Sequence, residues 1–454
     1  MGWDAMTRAN RSSAGKAAVA LAGSAVLFLA GCSSSSDASS NSSESPEESA
    51  AAEPVTLEMS WWGNDDRAKL FDQVVKAFEA KYPNITVTQT PVPDPDTLFN
   101  RLATDFAAGG DTAPDVFALG GAKPQEYGDA GALLDLAEVK DTVQLDKYPE
   151  FSLTNATVDD TVYGLPTGGN ATAAFVNTDI FAKAGVEVPT DDWTWDDFVA
   201  AANKIGAAGL TTDTGAPIMG VDLRVQDILG TYAGQKTEYG FYDWDGKLSV
   251  KPAVIADWYK HEVALRDGKG LPDPSIVVQN WNISSDQQPY ALGQAGITFG
   301  YSNLIGTYAK GGATKILLPP HDKGDKTGVA LLPSAFWAIN AKTAHPKEAA
   351  LLVDWFLNEP EAAQLILDTR GVPFNPDTLA VVTPLLQGDS KAAAEYVQTT
   401  LDSGTVAPPQ PNGGANANKY AQDGESDVLF DKASPDDAAK GFTEKLAADL
   451  NAAG

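Results

Sequence analysis

The sequence predicts an α/β fold in which helices cover a parallel sheet. Val55, Leu57 and Met59 alternate with polar neighbours, which is the period of a β-strand. Apolar residues at helical spacing follow over residues 70–78, and a second strand is predicted over residues 85–92. Because strands and helices alternate, this opening is typical of a βαβ unit.

Local signals mark where these elements begin and end. The first strand closes at Gly63, and residues 64–66 offer N-caps for the helix that follows. A second amphipathic helix ends at Gly109, and a third strand is predicted over residues 114–119. Ligands bind beyond the carboxyl ends of parallel strands, so the loops after the first and third strands should face the site.

Composition limits the classes of function. The chain has 454 residues, 43% of them hydrophobic, which is ample core for two lobes or one large domain. Later helices are predicted over residues 346–357 and from Ser434 onward. The net charge of -29 opposes binding to nucleic acid. It would also repel an anionic membrane surface, so membrane attachment needs an inserted segment or a covalent lipid.

Residues 1–31 have the layout of an export signal peptide. Basic residues precede an apolar stretch over residues 17–30, which is too short to span a bilayer comfortably. The run Leu-Ala-Gly-Cys then ends at Cys32, the only cysteine in the chain. It resembles the lipobox of bacterial lipoproteins, which implies an extracytoplasmic protein anchored to the cell membrane by a lipid on Cys32. The alternative is an incidental cysteine in a secreted protein.

Residues 32–54 are predicted to form a disordered linker. They consist almost entirely of Ser, Ala, Glu, Asp and Asn, a composition that has nothing to bury. Such a tether lets a globular body turn above the membrane.

Six segments of the remaining chain resemble a known family in their order and spacing. They are LEMSWWGNDDRAKLFDQVVKAFEAKYPNITV, PDVFALGG, GDAGALLDL, VYGLPTGGNATAAFVNTDIFAKAGVEVPTDDWTWDDF, ALGQAGITFGYSN and TRGVPFNP. The family is the family 1 extracellular solute-binding proteins of ABC importers, whose relatives bind maltose and other sugars. The resemblance covers nearly the whole chain after the linker.

The resemblance implies a periplasmic-binding-protein-like (Venus flytrap) fold, with two α/β lobes joined by hinge crossings. The first lobe would hold residues 55–167 and 332–375, and the second would hold residues 168–331 and 376–454. The family further implies a monomer without a cofactor, which closes on a sugar and delivers it to the permease of an ABC importer.

A sugar site needs aromatic rings for the apolar ring faces and carboxylate, amide or guanidinium groups for the hydroxyls. Trp62 stands at the end of the first strand, and Asn64, Asp65 and Arg67 follow it directly. We expect these four residues to contact the ligand. The alternative for Asn64 and Asp65 is helix capping, and for Arg67 a solvated charge in the first helical turn.

Six further residues are expected at the cleft: Asn170, Trp281, Tyr301, Asn303, Trp337 and Arg370. Trp281 has polar neighbours, and Tyr301 follows an apolar strand whose end should reach the cleft. Core burial is the alternative for Trp337, simple packing for Trp281 and a surface salt bridge for Arg370. A turn is the alternative for Asn170, Tyr301 and Asn303.

Enzymatic functions have little support in the sequence. The three histidines are not at metal-ligand spacing, and no nucleophile elbow, dinucleotide fingerprint or phosphate loop is present. We therefore expect no catalytic residue, no metal and no cofactor. Two carboxylates suffice for a glycosidase, so a secreted carbohydrate-active enzyme stays the alternative. A binding protein for another solute and a lipoprotein that binds a protein partner also remain open.

Overall fold

The structure is a computed structural model that describes residues 53–121, 123–403, 407–411 and 413–453. The predicted signal peptide, Cys32 and the linker up to residue 52 lie outside these ranges. Within them, no helix combines the length and apolarity that crossing a membrane requires.

The strands of the described chain are β1 Val55–Trp62, β2 Ile85–Val92, β3 Val116–Leu119, β4 Thr157–Val158, β5 Thr161–Val162, β6 Leu165–Pro166, β7 Gly169–Asn177, β8 Met219–Asp222, β9 Ala295–Tyr301, β10 Thr314–Leu317, β11 Leu331–Pro333 and β12 Phe336–Ile339. The helices are α1 Asp65–Lys81, α2 Pro95–Ala107, α3 Lys123–Asp129, α4 Glu150–Leu153, α5 Thr178–Ala184, α6 Trp195–Ala207, α7 Leu229–Lys236, α8 Pro252–Asp267, α9 Pro274–Asn280, α10 Ile305–Tyr308, α11 Pro346–Asn358, α12 Pro360–Ile366, α13 Pro376–Val382, α14 Gly388–Ser403, α15 Ala417–Leu429 and α16 Pro435–Ala453.

The first sheet has the strand order β2-β1-β3-β12-β6. Strand β1 pairs in parallel with both β2 and β3, which confirms the predicted parallel opening. Strand β12 comes from much later in the chain and runs antiparallel to β3 and β6. The side chain of Asn64 caps α1 by accepting a hydrogen bond from the Arg67 backbone N–H, so the helix begins directly beyond the end of β1.

The second sheet has the strand order β10-β7-β9-β8, and β11 pairs with β7. Strand β7 is buried along its whole length, which fits a central strand covered on both faces. Its side chains alternate between two cores: Ala173 and Phe175 belong to one, while Ala174 and Val176 belong to the other. The mixed α/β architecture with two sheet-containing lobes confirms the predicted fold class.

Two chain segments connect the two sheets, one between β6 and β7 and one between β11 and β12, and residues 371–372 lie beside them. Gly169 and Val372 exchange two backbone hydrogen bonds of 2.7 and 3.0 Å, and the Ser334 N–H donates to the Gly168 carbonyl at 2.8 Å. A Cβ atom at Gly168 would lie 2.5 Å from the carbonyl oxygen of Gly371, so this crossing leaves no space for a side chain. Tightly packed backbone therefore forms the connection.

The lobe boundaries at residues 167, 331 and 375 stay a prediction. In the structure, β11 pairs with β7 of the second sheet, and β12 pairs with β3 of the first. Helix α13 packs against α11 and α12, which flank the first sheet, although the predicted boundary assigns residues from 376 onward to the second lobe.

Candidate ligand-binding cleft

A cavity of about 670 Å³ is lined by residues from both sheets and their loops. We call the lining from the first-sheet side the first wall; it comprises Trp62, Arg67, Gly121, Asn155 and residues 369–371. The second wall includes Asn170, Thr172, Gln226, Asp227, Thr231, Glu238, Tyr239, Tyr301, Asn303 and Lys326. The volume of the cavity suits a small ligand, since small-molecule sites measure roughly 300–1,000 Å³.

Trp62 is the last residue of β1, and the other side chains of the first wall that carry charge contact it. Its ring packs edge-on against Phe99 at a centroid distance of 5.8 Å. The guanidinium carbon of Arg370 lies 4.9 Å from the Trp62 ring centroid, within the range of a cation–π contact. Nη1 of Arg67 donates a 3.0 Å hydrogen bond to the Trp62 carbonyl. The two arginines therefore bring positive charge to the cavity next to Trp62, Arg370 at its ring and Arg67 at its backbone carbonyl.

Arg370 is buried, and no carboxylate among the residues that the structure describes forms an ion pair with it. Its side-chain Nε and Nη2 have no hydrogen-bond acceptor within the described chain. Burial, reinforced by the nearby charge of Arg67, lowers the pKa of Arg370 from its ordinary value to about 9. Such a group is costly to bury and marks a place where an acceptor from outside the protein can bind.

The second wall combines an exposed ring with amide and carboxylate groups. Tyr301 ends β9 and leaves 47% of its surface exposed, an uncommon value for a large aromatic side chain in this fold. Nδ2 of Asn170 donates to Ser334 Oγ at 2.7 Å, which fixes the amide at the crossing. Asp227 is ion-paired with Arg224, and burial raises the pKa of Asp227 to about 6. Aromatic and hydrogen-bonding groups thus face the same cavity.

Six of the ten candidate site residues line this cavity, namely Trp62, Arg67, Asn170, Tyr301, Asn303 and Arg370. Asn64 and Asp65 do not. The side-chain oxygen of Asn64 caps α1, and Asp65 lies exposed in the first turn of that helix. The capping interpretation of Asn64 therefore describes the structure better than ligand contact.

Trp337 was expected at the cleft, but the structure places it in the core. It is 2% exposed on β12, with its ring 5.4 Å from Phe356 and 6.1 Å from Phe71. All four residues of β12 are buried, so the strand is covered on both faces and the Trp337 ring faces the core and not the cavity.

Trp281 is likewise absent from the cavity lining. Its indole N–H donates a 2.5 Å hydrogen bond to Oε2 of Glu425 on α15. Glu425 is fully buried and lies 144 positions later in the chain, so the polar neighbours of Trp281 in sequence gave no sign of this partner. The indole N–H therefore bonds to one oxygen of a buried carboxylate, and the ring does not face the cavity.

Several lining residues were missed by sequence reasoning. Gln226 and Asp227 follow β8, Thr231 lies on α7, and Glu238 and Tyr239 follow α7. The loop after β8 reaches the cavity because β8 runs parallel to β9 and its carboxyl end lies at the same edge of the sheet, a pairing that no local sequence signal revealed. No group of His, Cys, Asp or Glu among the described residues has an arrangement that could hold a metal ion.

Known proteins share both sequence and fold with this chain. A putative binding protein of Brucella abortus is 36% identical over 143 residues, which cover 31% of this chain and about a third, 33%, of that relative. The galactooligosaccharide-binding protein of Bacillus subtilis is 26% identical over 396 residues, 81% of this chain and 83% of the relative.

The fold matches a solved oligogalacturonide binding protein of Yersinia enterocolitica with a TM-score of 0.72 at 22% identity, covering 88% of this chain and 99% of that one. Residues 63–363, well over half of the chain, match the family model described as bacterial extracellular solute-binding protein. This match agrees with the two sheets and with the cavity that residues of both sheets line. The chain therefore belongs to the bacterial extracellular solute-binding proteins.

Proposed function

We propose that this protein captures a sugar, a mono- or oligosaccharide, in the cavity between its two walls and delivers it to the permease of an ABC importer. The observation that carries the proposal is the cavity lining. Two aromatic side chains, Trp62 and Tyr301, stand on opposite walls among amide, guanidinium and carboxylate groups. Aromatic faces stack on sugar rings while polar groups pair with hydroxyls, so this lining suits a carbohydrate.

The names of similar proteins support the same ligand class. The Bacillus subtilis relative that covers most of the chain is a galactooligosaccharide-binding protein. A second relative from that organism, an arabinooligosaccharide-binding protein, is 28% identical over 225 residues.

Closure of the two lobes is the proposed mechanism. A sugar that contacts both walls binds more tightly to a closed form than to an open form, and it therefore shifts the population toward closure. The crossing at Gly168 and Ser334 is the proposed hinge, because backbone hydrogen bonds there hold the lobes together. The permease would recognise the closed form.

Calorimetry and thermal shift against a panel of neutral and acidic mono- and disaccharides test the proposal. At saturating sugar we expect a higher melting temperature, since a ligand that binds the native state alone stabilises it. Small-angle scattering should show a smaller radius of gyration with the bound sugar than without it. The absence of binding to every sugar tested would reject the proposal in favour of another solute.

Incubation with oligosaccharides separates a binding protein from a glycosidase. Asp227 and Glu238 line the cavity, so the enzymatic alternative has candidate carboxylates. We expect no cleavage products by chromatography. Products that vanish in an Asp227→Asn variant would make the protein an enzyme.

Anchoring by a lipid on Cys32 is proposed from the sequence around that residue. Expressed in a bacterial host, the chain should fractionate with membranes and partition into detergent. A Cys32→Ser variant should be released into the aqueous phase. Equal partitioning of both forms would remove the lipid anchor from the proposal.

A further inference from the structure

The first wall holds two arginines and no described acid. Arg67 lies on α1 and Arg370 follows α12, so separate helices bring the two guanidinium groups to Trp62. Neither arginine forms an ion pair with any carboxylate of the described chain. The charge of Arg67 acts on Arg370 as repulsion, which means that the two cations are near enough to destabilise each other.

Proteins rarely leave a buried guanidinium in this state. Removing a charge from water costs several kcal/mol unless paired hydrogen bonds compensate, as a general estimate. Arg370 is 7% exposed, and its Nε and Nη2 have no acceptor. Only the cation–π contact with Trp62 offsets part of this cost among the described contacts. The arrangement is therefore incomplete without an anion.

The second wall is mixed in charge. Its charged members at the cavity are the carboxylates of Asp227 and Glu238 and the ammonium of Lys326, which donates a hydrogen bond to the Glu238 backbone carbonyl, and its neutral members are amides and hydroxyls, as in Asn170 and Thr231. These groups accept hydrogen bonds from sugar hydroxyls. A ligand whose anionic end faces the arginines and whose hydroxyls face the second wall satisfies both walls in one orientation.

We propose that the cavity selects acidic sugars, with the carboxylate of a uronic acid held by Arg370 and Arg67 beside the Trp62 ring. This inference rests on the proposed function and specifies its ligand class. A planar carboxylate matches the planar guanidinium fork, which provides two parallel hydrogen bonds from one arginine. The net charge of -29 of the whole chain would otherwise repel such a ligand, so the local cations are what makes an anionic cargo acceptable.

The first experiment compares matched sugars by calorimetry on the purified protein. Sodium galacturonate and glucuronate are titrated beside galactose and glucose, and the corresponding uronate and neutral disaccharides follow. Glucose 6-phosphate and sodium acetate serve as probes of a different anion and of a carboxylate without a sugar. We expect each uronate to bind at least about tenfold more tightly than its neutral counterpart, and acetate to bind far more weakly than the uronates.

The second experiment removes the charges one at a time. Arg370→Met should weaken the best uronate on the order of a hundredfold, and Arg370→Lys about tenfold, because an ammonium keeps the charge and loses the fork. Arg67→Gln tests the second cation independently if Arg370→Met folds poorly. Arg101→Gln on α2, which changes an arginine outside the cavity lining, is the matched control and should bind as the unchanged protein does.

A merely structural role for Arg370 predicts a different pattern. Loss of a structural arginine lowers the melting temperature of the ligand-free protein, whereas removal of an unpaired buried charge leaves it equal or higher. We expect the melting temperature of ligand-free Arg370→Met to be equal to or above that of the unchanged protein, together with lost uronate affinity.

The outcomes separate the ligand class from the function. Equal or tighter binding of neutral sugars overturns the acidic-sugar proposal and leaves sugar capture standing. Tighter binding of glucose 6-phosphate than of the uronates also overturns it, since the preferred group is then a phosphate. If no sugar of either kind binds, the proposed function fails as well.

Discussion

Each half of the molecule buries ionisable side chains that have no ion-pair partner among the described residues, but in different settings. In the first half, Arg370 lies at the cavity beside Trp62. In the second half, Glu262 on α8 and Glu425 on α15 are fully buried in the core, and each accepts a hydrogen bond from a tryptophan indole, Trp258 or Trp281. Oε2 of Glu262 and Oε1 of Glu425 have no partner in the described chain.

The position of each buried ionisable group, at the cavity or in the core, decides what can neutralise its charge. A ligand can reach the cavity wall, so the cation of Arg370 can be neutralised from outside. No ligand can reach the two glutamates, and a proton is the remaining way to remove their charge. Burial raises the pKa of Glu425 to about 8, and burial together with the charge of Glu425 raises the pKa of Glu262 well above its ordinary value. One region therefore responds to solute and the other to pH.

The largest expected effect is on ligand affinity through Trp62. Trp62→Ala removes the ring that stacks on Arg370 and faces the cavity, so we expect affinity for the tightest-binding sugar to fall by about 3 kcal/mol, roughly 150-fold. Calorimetry measures the change. Trp244→Ala, at an indole that is 50% exposed outside the cavity lining, is the control and should bind normally. Equal losses in both variants would contradict a specific role for Trp62.

The next effect is on stability and its pH dependence. Glu425 has a folded-state pKa of about 8 against an ordinary value of 4.5, so the native protein holds a proton that the unfolded chain releases between these values. The associated stability is complete below about pH 4.5 and is lost as the pH rises through 8. Glu425→Gln should raise the free energy of unfolding by roughly 2 kcal/mol at pH 8.5 and flatten its dependence on pH.

Urea unfolding at pH 5 and at pH 8.5 measures this prediction. Glu444→Gln on α16 changes an exposed glutamate and should shift the free energy of unfolding by no more than about 0.5 kcal/mol at either pH. If Glu425→Gln destabilises the protein equally at both values, the carboxylate is ionised in the folded state and the contrast between the two regions disappears.

A smaller effect is expected from Tyr301 on the second wall. Tyr301→Ala should cost about 1.5 kcal/mol of sugar affinity, while the exposed position of the ring limits the loss of stability to about 0.5 kcal/mol. Tyr301→Phe keeps the ring and should retain most of the affinity. An affinity of Tyr301→Ala equal to that of the unchanged protein would place the ligand on the first wall alone.

The smallest effect on affinity is expected from Trp281. Trp281→Phe removes the indole N–H that donates a hydrogen bond to Glu425, so the free energy of unfolding should fall by about 1 kcal/mol at neutral pH. Sugar affinity should stay within twofold, because Trp281 does not line the cavity. A large loss of affinity with unchanged stability would restore Trp281 to the site.

The opening of the fold was predictable because its signals are local. Alternation at Val55, Leu57 and Met59 reports burial within one strand, and β2 begins and ends at the predicted residues 85 and 92. The cap at Asn64 and the final helix from Pro435 follow from short-range chemistry in the same way. The addition of β12 to the first sheet depends on pairing with a strand more than 200 positions earlier, which no local pattern encodes.

The cavity was less predictable for a related reason. Three tryptophans have the same side chain and different surroundings. Trp62 lines the cavity, Trp281 bonds to Glu425, and Trp337 packs against Phe71 and Phe356. Position at a strand end distinguished Trp62, while the other two depend on partners from distant segments. Residues after β8 went unnoticed because the sequence does not reveal which strands share an edge.

The pairing of β3 with β12 also constrains how the chain acquires its structure. Any fragment that stops before Phe336 leaves one side of β3 without a hydrogen-bonding neighbour, an edge prone to wrong association. Closing so long a loop is entropically expensive, so the first half cannot be completed early. We expect nascent or truncated forms to need chaperone protection until residues beyond Ile339 have emerged.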